Sequence, residues 1–311
     1  GFKRRCAIKL ILLSDIHMVV DNPIARMDDL TATQWEKLKF VFDYAFRHDI
    51  EVILQAGDLT HTRRSWWLVE ELGRRLVSEP AKIYLVKGQH DSYYHDMGNQ
   101  KTTTGVLIST GVVNLLSDVP TSFREKVHIY GCSYGEKIPE VKTVGVNILV
   151  IHASIGHDKN LWNGHVDFTD ADTFLVNHPE YDLILCGDVH EKFIVQREDR
   201  IICNTGVMLR LEASKQMMEH KPCFFVYDIK TSNIKEILIP TLSSDKVLSR
   251  DHIEKQKAQQ ENFADFVDRV KSIEGKGTIN FADNLKQVIS KNKISKKVEM
   301  IIHQHLGGSD F

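Results

Sequence analysis

Apolar positions along the first half of the chain follow two rhythms. Residues 7–13, 52–56 and 82–86 are short, nearly unbroken apolar runs, the mark of strands buried on both faces. Between them Trp35, Leu38, Phe42, Ala45 and Phe46 recur at helical spacing and predict a helix over 33–47, with a second over 66–76. Strand–helix alternation of this kind predicts a layered α/β fold. Beyond Val112 the texture changes. Residues 127–132, 146–151, 183–186, 193–195, 200–203, 224–229 and 234–239 read as strands with few helices between them, which suits two sheets packed face to face with helices outside. From about Asp251 the spacing turns helical: Phe263, Phe266, Val267, Val270 and Ile273 share one face, and Gly275 and Gly277 break the pattern. Phe281, Leu285, Val288 and Ile289 fit a second helix, and Ile294, Val298, Ile301, Ile302 and Leu306 a third. The expected organisation is a domain over 1–250 and a helical segment over 251–311.

Composition narrows the class. The 311 residues suit about two domains. A net charge of −2 excludes a histone-like nucleic-acid binder but leaves room for a local basic patch. Cys6, Cys132, Cys186, Cys203 and Cys223 include no CxxC pair and sit mostly in apolar runs, so free buried thiols in a reducing cytoplasm are expected. No run of eighteen apolar residues predicts a membrane span, and the short run after Arg5, interrupted by Lys9, is not a signal segment.

Metal-type residues recur behind the predicted strands: Asp15 and His17, Asp58 and His61, Gln89, His90 and Asp91, His152, then Asp188 and His190. Sites in α/β sheets form past the carboxyl ends of strands, so these segments can converge on one cleft. Two divalent ions about 3.5–4 Å apart hold a phosphate ester and activate a water, and a bridging carboxylate neutralises both. A histidine off the metals can protonate the leaving oxygen. Singly, each piece has a plainer reading: Asp-x-His and Gly-Asp are common in turns, and a histidine in an apolar run such as His152 serves a core. The order DxH, GDxxH, GxHD, H, GxxH behind successive strands is what points to a metal site.

That order resembles the calcineurin-like metallophosphoesterases, whose series is DxH, GD, GNHD, H and GHxH, over roughly residues 8–240. Within them the chain looks most like the DNA-repair exonuclease branch, the SbcD-type nuclease subunits, in versions carried by phages and prophages. His61 in the second motif, Asn204-Thr205-Gly206 followed by Arg210, and Asn22-Pro23-Ile24-Ala25-Arg26 carry that resemblance. It implies a four-layer α/β/β/α sandwich with a C-terminal helical appendage, and a DNA exonuclease with endonuclease action near ends. It implies two divalent ions, Mn²⁺ foremost and Mg²⁺ next. Asp15, His17 and His190 would hold one, Gln89, His152 and Asp188 the other, and Asp58 would bridge. His90 would be the acid, oriented by Asp91, with His61 near the substrate. Gln89 and Asp188 replace the Asn and His of the family series, which makes the second site richer in oxygen and favours hard ions over Zn²⁺; a site reduced to one ion is the alternative. The implied partners are DNA, an SMC-type ATPase subunit docked by the C-terminal helices and a second copy in a homodimer, without a membrane, in a bacterial or phage-infected cytoplasm.

Two other functions stay open on the sequence: a small-molecule phosphodiesterase or protein phosphatase of the same fold, and a DNA-end-binding scaffold with weak catalysis. Arg63, Arg64, Lys101, Arg124 and Lys126 are candidate flanks of a DNA groove, against the default of a solvated surface. Trp66 and Trp67 are candidates for base stacking, against a core-edge role. Lys286 to Lys297 holds five lysines and no acid. Tyr93, Tyr94 and His95 are expected to rim the cleft.

Overall fold

Leu10 and Leu12 face one way from the first strand and Ile11 and Leu13 the other, and all four are buried. This two-residue alternation, apolar on both faces, is why the strand reads as an unbroken run. The computed structural model describes residues 8–93, 101–157, 168–251 and 291. In chain order its elements are β1 (Lys9–Leu13), α1 (Leu30–Arg47), β2 (Val52–Gln55), α2 (Trp66–Leu76), β3 (Lys82–Leu85), α3 (Thr103–Ser109), β4 (Asn114–Leu115), β5 (Thr121–Phe123), β6 (Val127–Cys132) and β7 (Val146–Ala153). There follow β8 (Ile155–Gly156), β9 (Thr169–Asp170), α4 (Ala171–Asn177), β10 (Leu183–Asp188), β11 (Lys192–Arg197), β12 (Arg200–Thr205), α5 (Lys215–Glu219), β13 (Cys223–Asp228), β14 (Asn233–Leu238) and α6 (Ser244–Val247).

Two six-stranded sheets carry the fold, in the orders β14-β13-β1-β2-β3-β4 and β11-β12-β10-β7-β6-β5. Strands β1 to β4 run parallel; beyond β1, β13 is antiparallel to β1 and β14 antiparallel to β13. Strands β6, β7, β10 and β12 likewise run parallel between antiparallel edges β5 and β11. Leu10, Leu12, Val52 and Leu54 meet Ile148, Val150, Leu183 and Leu185 between the sheets. Val41, Phe42 and Ala45 of α1 and Leu68 and Leu72 of α2 cover Ile11, Leu13 and Ile53 on one outer face. Phe174 and Leu175 of α4 cover Leu149, Ile151 and Ile184 on the other. The result is the expected α/β/β/α sandwich.

Helix α1 begins three residues before its predicted start, because Asp29 caps it by accepting from the Ala32 amide at 3.0 Å. Helices α3 and α4, seven residues each, and the five-residue α5 have no counterpart in the predicted elements; they are too short to display a period. Cys132, Cys186, Cys203 and Cys223 are free and buried. Among the described residues no helix is long and apolar enough to cross a membrane. The chain divides by contact into Gly1–Ser249 and Arg250–Phe311. The helices expected after 251, their lysines other than Lys291, and Tyr94 and His95 lie outside the described residues.

Candidate metal centre

Every predicted metal ligand follows a parallel strand. Asp15 and His17 come after β1, Asp58 after β2 and Gln89 after β3, while His152 and Asp188 end β7 and β10 and His190 comes just after β10. The backbone there bends sharply: His17 has φ 55°, Asp58 φ 54° and Asp188 φ 95°, conformations that side-chain-bearing residues adopt at a cost. Close approach of the loops also demands glycine. A Cβ on Gly88 would strike the carboxylate and amide of Asp58, and one on Gly57 would strike the His152 ring.

Two groups of side chains result, joined by Asp58. In the first, His17 Nε2 and His190 Nε2 are 3.1 Å apart, and Asp15 Oδ1 is 3.9 Å from His17 Nε2. In the second, His152 Nε2 lies 2.7 Å from Gln89 Oε1 and 3.9 Å from Asp188 Oδ1. The Asp58 carboxylate divides its two oxygens. Oδ1 accepts from the His90 backbone amide at 2.8 Å, and Oδ2 stands 3.8 Å from His17 Nε2 and 3.6 Å from His152 Nε2. The structure thus gathers the seven predicted ligands into two groups, with Asp58 Oδ2 standing between His17 of one and His152 of the other.

The donor set fits cations. His152 Nδ1 donates to the Ala56 carbonyl at 2.6 Å, so in the neutral ring Nε2 presents a lone pair, and it faces a second acceptor, Gln89 Oε1. Neighbouring ligands at right angles on an ion about 2.1 Å away stand about 3 Å apart, close to the separations of His17 from His190 and His152 from Gln89. Burial pushes the carboxyls of Asp15 and Asp58 up to about 8. For Asp15 the His152 charge opposes the rise and Asp58 adds to it; for Asp58 the Asp91 charge adds to it. Burial and then neighbouring histidines hold His17 well below the usual histidine range, and burial takes His190 down to about 4. Neutral imidazoles and buried, mutually repelling carboxyls are what a cation pair compensates.

Asp91 departs from its predicted role. Its Oδ2 accepts from the amides of Asp58 at 2.8 Å, Gly88 at 3.0 Å and Leu59 at 3.4 Å, and Oδ1 accepts from the Thr104 hydroxyl at 2.5 Å. It ties two metal-bearing loops together and makes no bond to the His90 ring. The His61 carbonyl holds that ring instead, 3.3 Å from His90 Nδ1, while the rings of His61 and His90 stack with centroids 4.8 Å apart. Burial lowers both histidines, and the nearby Arg63 cation adds to it in each.

Two adjoining clefts open over the centre. One of about 320 Å³ is lined by His17, His61, His90 and His190 together with Glu212 and Gln216; the other, about 270 Å³, by Asp58, Gln89, His90, Asp188, His190 and Gln216. Sequence reasoning missed Gln216, Glu212 and Ser154, whose hydroxyl donates to Asp188 Oδ2 at 2.5 Å. Ser154 alone carried a signal, standing two residues past His152. Arg124 and Lys126 are not flanks of this cleft. They precede β6, and β6 runs parallel to β7, so they stand at the opposite end of the sheet from His152, about 20 Å of strand away. Tyr93 lies under the Arg64 guanidinium, 3.7 Å from ring centroid to carbon.

Solved structures of similar architecture include TT1561 of Thermus thermophilus, 11% identical, covering 75% of this chain and 100% of that one with a TM-score of 0.47. A novel archaeal phosphodiesterase is 13% identical over 74% of this chain and 99% of that one, with a TM-score of 0.40. A conserved protein of Streptococcus pneumoniae TIGR4, titled a predicted phosphoesterase, is 14% identical over 78% and 92%, with a TM-score of 0.34. Comparison with curated proteins gives no match. The profile of the calcineurin-like phosphoesterases matches residues 8–192, more than half of the chain and a span that begins at β1 and closes just past His190, and on that match the chain belongs to this family.

Proposed function

We propose that the chain is a divalent-metal-dependent DNA nuclease, acting from ends as an exonuclease and near them as an endonuclease. The observation that carries the reading is the position of Asp58 Oδ2 between His17 and His152, one oxygen shared by two ligand groups. Asp15, His17 and His190 would hold one ion and Gln89, His152 and Asp188 the other. Such ions supply Lewis acidity toward a phosphodiester and lower the pKa of water. The chain's own residues do the rest. The His61 carbonyl fixes His90 at Nδ1, which leaves Nε2 to exchange a proton with the leaving oxygen. The lowered pKa of His90 makes its protonated ring the stronger acid toward that oxygen. Arg63, whose charge reaches Asp58, His61 and His90, favours a phosphate beside them.

DNA as substrate is supported by the branch resemblance carried by His61, by Asn204-Thr205-Gly206 with Arg210 and by the stretch from Asn22 to Arg26, and by the cations Arg63 and Arg64 close to His61 in the chain. An oxygen-rich second group, with Gln89 and Asp188, supports Mn²⁺ or Mg²⁺. An SMC-type ATPase partner, a homodimer and a cytoplasmic setting rest on the resemblance to SbcD-type subunits.

The test is hydrolysis by the purified chain of end-labelled linear DNA, bis(p-nitrophenyl) phosphate and p-nitrophenyl phosphate, in Mn²⁺ and in chelator. Mn²⁺-dependent shortening of DNA from its ends is expected. Hydrolysis confined to the small esters would identify a small-molecule enzyme, and metal-independent DNA binding without cleavage a scaffold.

A further inference from the structure

A further groove, of about 510 Å³, is lined by Arg64, Ser65, Trp66, Val69, Lys101, Thr102, Thr103 and Val106. We propose that it is a subsite for an unpaired stretch of the substrate strand, in which Trp66 stacks on a base while Arg64 and Lys101 meet the flanking phosphates. This rests on the reading of the chain as a DNA nuclease.

Trp66 is 83% exposed, though it opens a helix whose Leu68, Leu72 and Leu76 are fully packed. The core does not use it. Its neighbour Trp67 plays the structural part, meeting Trp35 edge-on with centroids 6.0 Å apart. An indole left in water at the mouth of a groove floored by Val69 and Val106 offers a flat apolar face for a flat partner.

Charge selects the partner. Arg64 is held in place from two sides: its Nε donates to the Lys101 carbonyl at 3.1 Å, and its guanidinium carbon sits 3.7 Å over the Tyr93 ring. One of its five donors is spent on that bond, and a guanidinium fixed in this way loses little entropy on gripping a phosphate. Lys101 stands on the same wall, and among the described residues no acidic side chain lines the groove. Cations alternating with an exposed aromatic are the chemistry of single-strand binding, since stacking on a base requires that it be unpaired.

The groove is also mechanically joined to the centre. Thr103 lines it, donates its amide to the Arg63 carbonyl at 2.8 Å and accepts from the Ser65 amide at 2.9 Å. The next residue, Thr104, bonds Asp91, which in turn holds the Asp58 loop. Trp66 follows Asp58 by eight residues, at most about 28 Å of extended chain, so the two sites are a few nucleotides apart. The order Asp58, Arg63, Arg64, Trp66 then traces a strand leaving the metals.

The experiment measures binding of a labelled oligo(dT) and of a blunt hairpin duplex to the full chain by fluorescence anisotropy in chelator, where nothing is cut. Trp66→Ala should weaken oligo(dT) binding about 5- to 150-fold, and Trp66→Phe should restore most of it. Arg64→Ala should flatten the dependence of log K on log salt by about 0.7. Unchanged oligo(dT) binding by Trp66→Ala, with the wild type still cutting DNA in Mn²⁺, overturns the subsite and leaves the nuclease reading intact. Equal losses on oligo(dT) and duplex overturn the assignment to unpaired strand. A wild-type chain that neither binds oligo(dT) nor cuts DNA overturns both readings. Melting temperatures of the variants, with Trp66 this exposed, should match the wild type.

Discussion

Asp91 Oδ2 accepts the backbone amide of Asp58 at 2.8 Å, so the carboxylate after β3 fixes the loop after β2. With its bonds to Gly88, Leu59 and Thr104, Asp91 satisfies four buried donors at once. Asp91→Ala leaves the three amides without that acceptor, at about 1–3 kcal/mol for each fully buried one. The expected outcome is a loss of several kcal/mol in urea unfolding, together with loss of bound metal. Asp91→Asn keeps an acceptor oxygen and should recover part of both. A stable, fully metal-loaded Asp91→Ala with slow turnover would instead place Asp91 in the chemistry.

Gly88→Ala tests the closeness of the same loops. The added methyl would collide with the Asp58 carboxylate and amide, and neither can retreat, since each is already hydrogen-bonded. Metal content measured by elemental analysis should fall by more than half while the two-sheet core stays folded by circular dichroism. Normal metal content in that variant would show that the Asp58 loop has freedom to move.

The legible parts of the chain were those where chemistry and pattern coincide. A parallel strand buried on both faces gives way where polar residues appear, so Asp15 and Asp58 just past β1 and β2, and His152 and Asp188 at the ends of β7 and β10, stood out behind their apolar runs. Asp91 was legible as a site residue but not in its task, because its partners are backbone amides that leave no trace in side-chain identity. Gln216 was invisible, being on a five-residue helix with no period of its own. Arg124 and Lys126 misled because linear charge does not say which end of a strand it occupies. The separation of Trp66 from Trp67, one in solvent and one against Trp35, appears only once α2 is placed.

Asp58 and His90 should fail in different ways. Asp58→Ala removes the oxygen between the two ligand groups, so cleavage of bis(p-nitrophenyl) phosphate should drop by about 10³-fold or more and metal content should fall with it. His90→Ala removes a ring that rests on the His61 carbonyl, while the backbone amide that bonds Asp58 remains. Its metal content should stay at the wild-type level and its rate fall about 10²- to 10⁴-fold, the range of a lost proton donor. Metal loss in His90→Ala equal to that in Asp58→Ala would make His90 a ligand.

Lys37 carries a pH dependence unconnected with catalysis. Its ammonium lies buried in α1 and donates to the Met208 carbonyl at 3.1 Å. Burial first, then the charges of Arg210 and Arg26 against the opposing Asp28, bring its pKa down from 10.5 to about 7. Between about pH 7 and pH 10.5 the folded chain therefore holds fewer protons at this site than the unfolded chain, and stability rises with pH across that window. Below about pH 7 the cost of the buried charge is present in full. Lys37→Met removes the titration and leaves every other group in place, so the difference between the two chains isolates it. Urea unfolding in chelator at about pH 6 and about pH 9 should show the wild type gaining about 3 kcal/mol on Lys37→Met as pH rises. Parallel pH profiles for the two chains would mean that Lys37 keeps its ordinary pKa, with the Met208 carbonyl and Asp28 carrying the charge inside the fold.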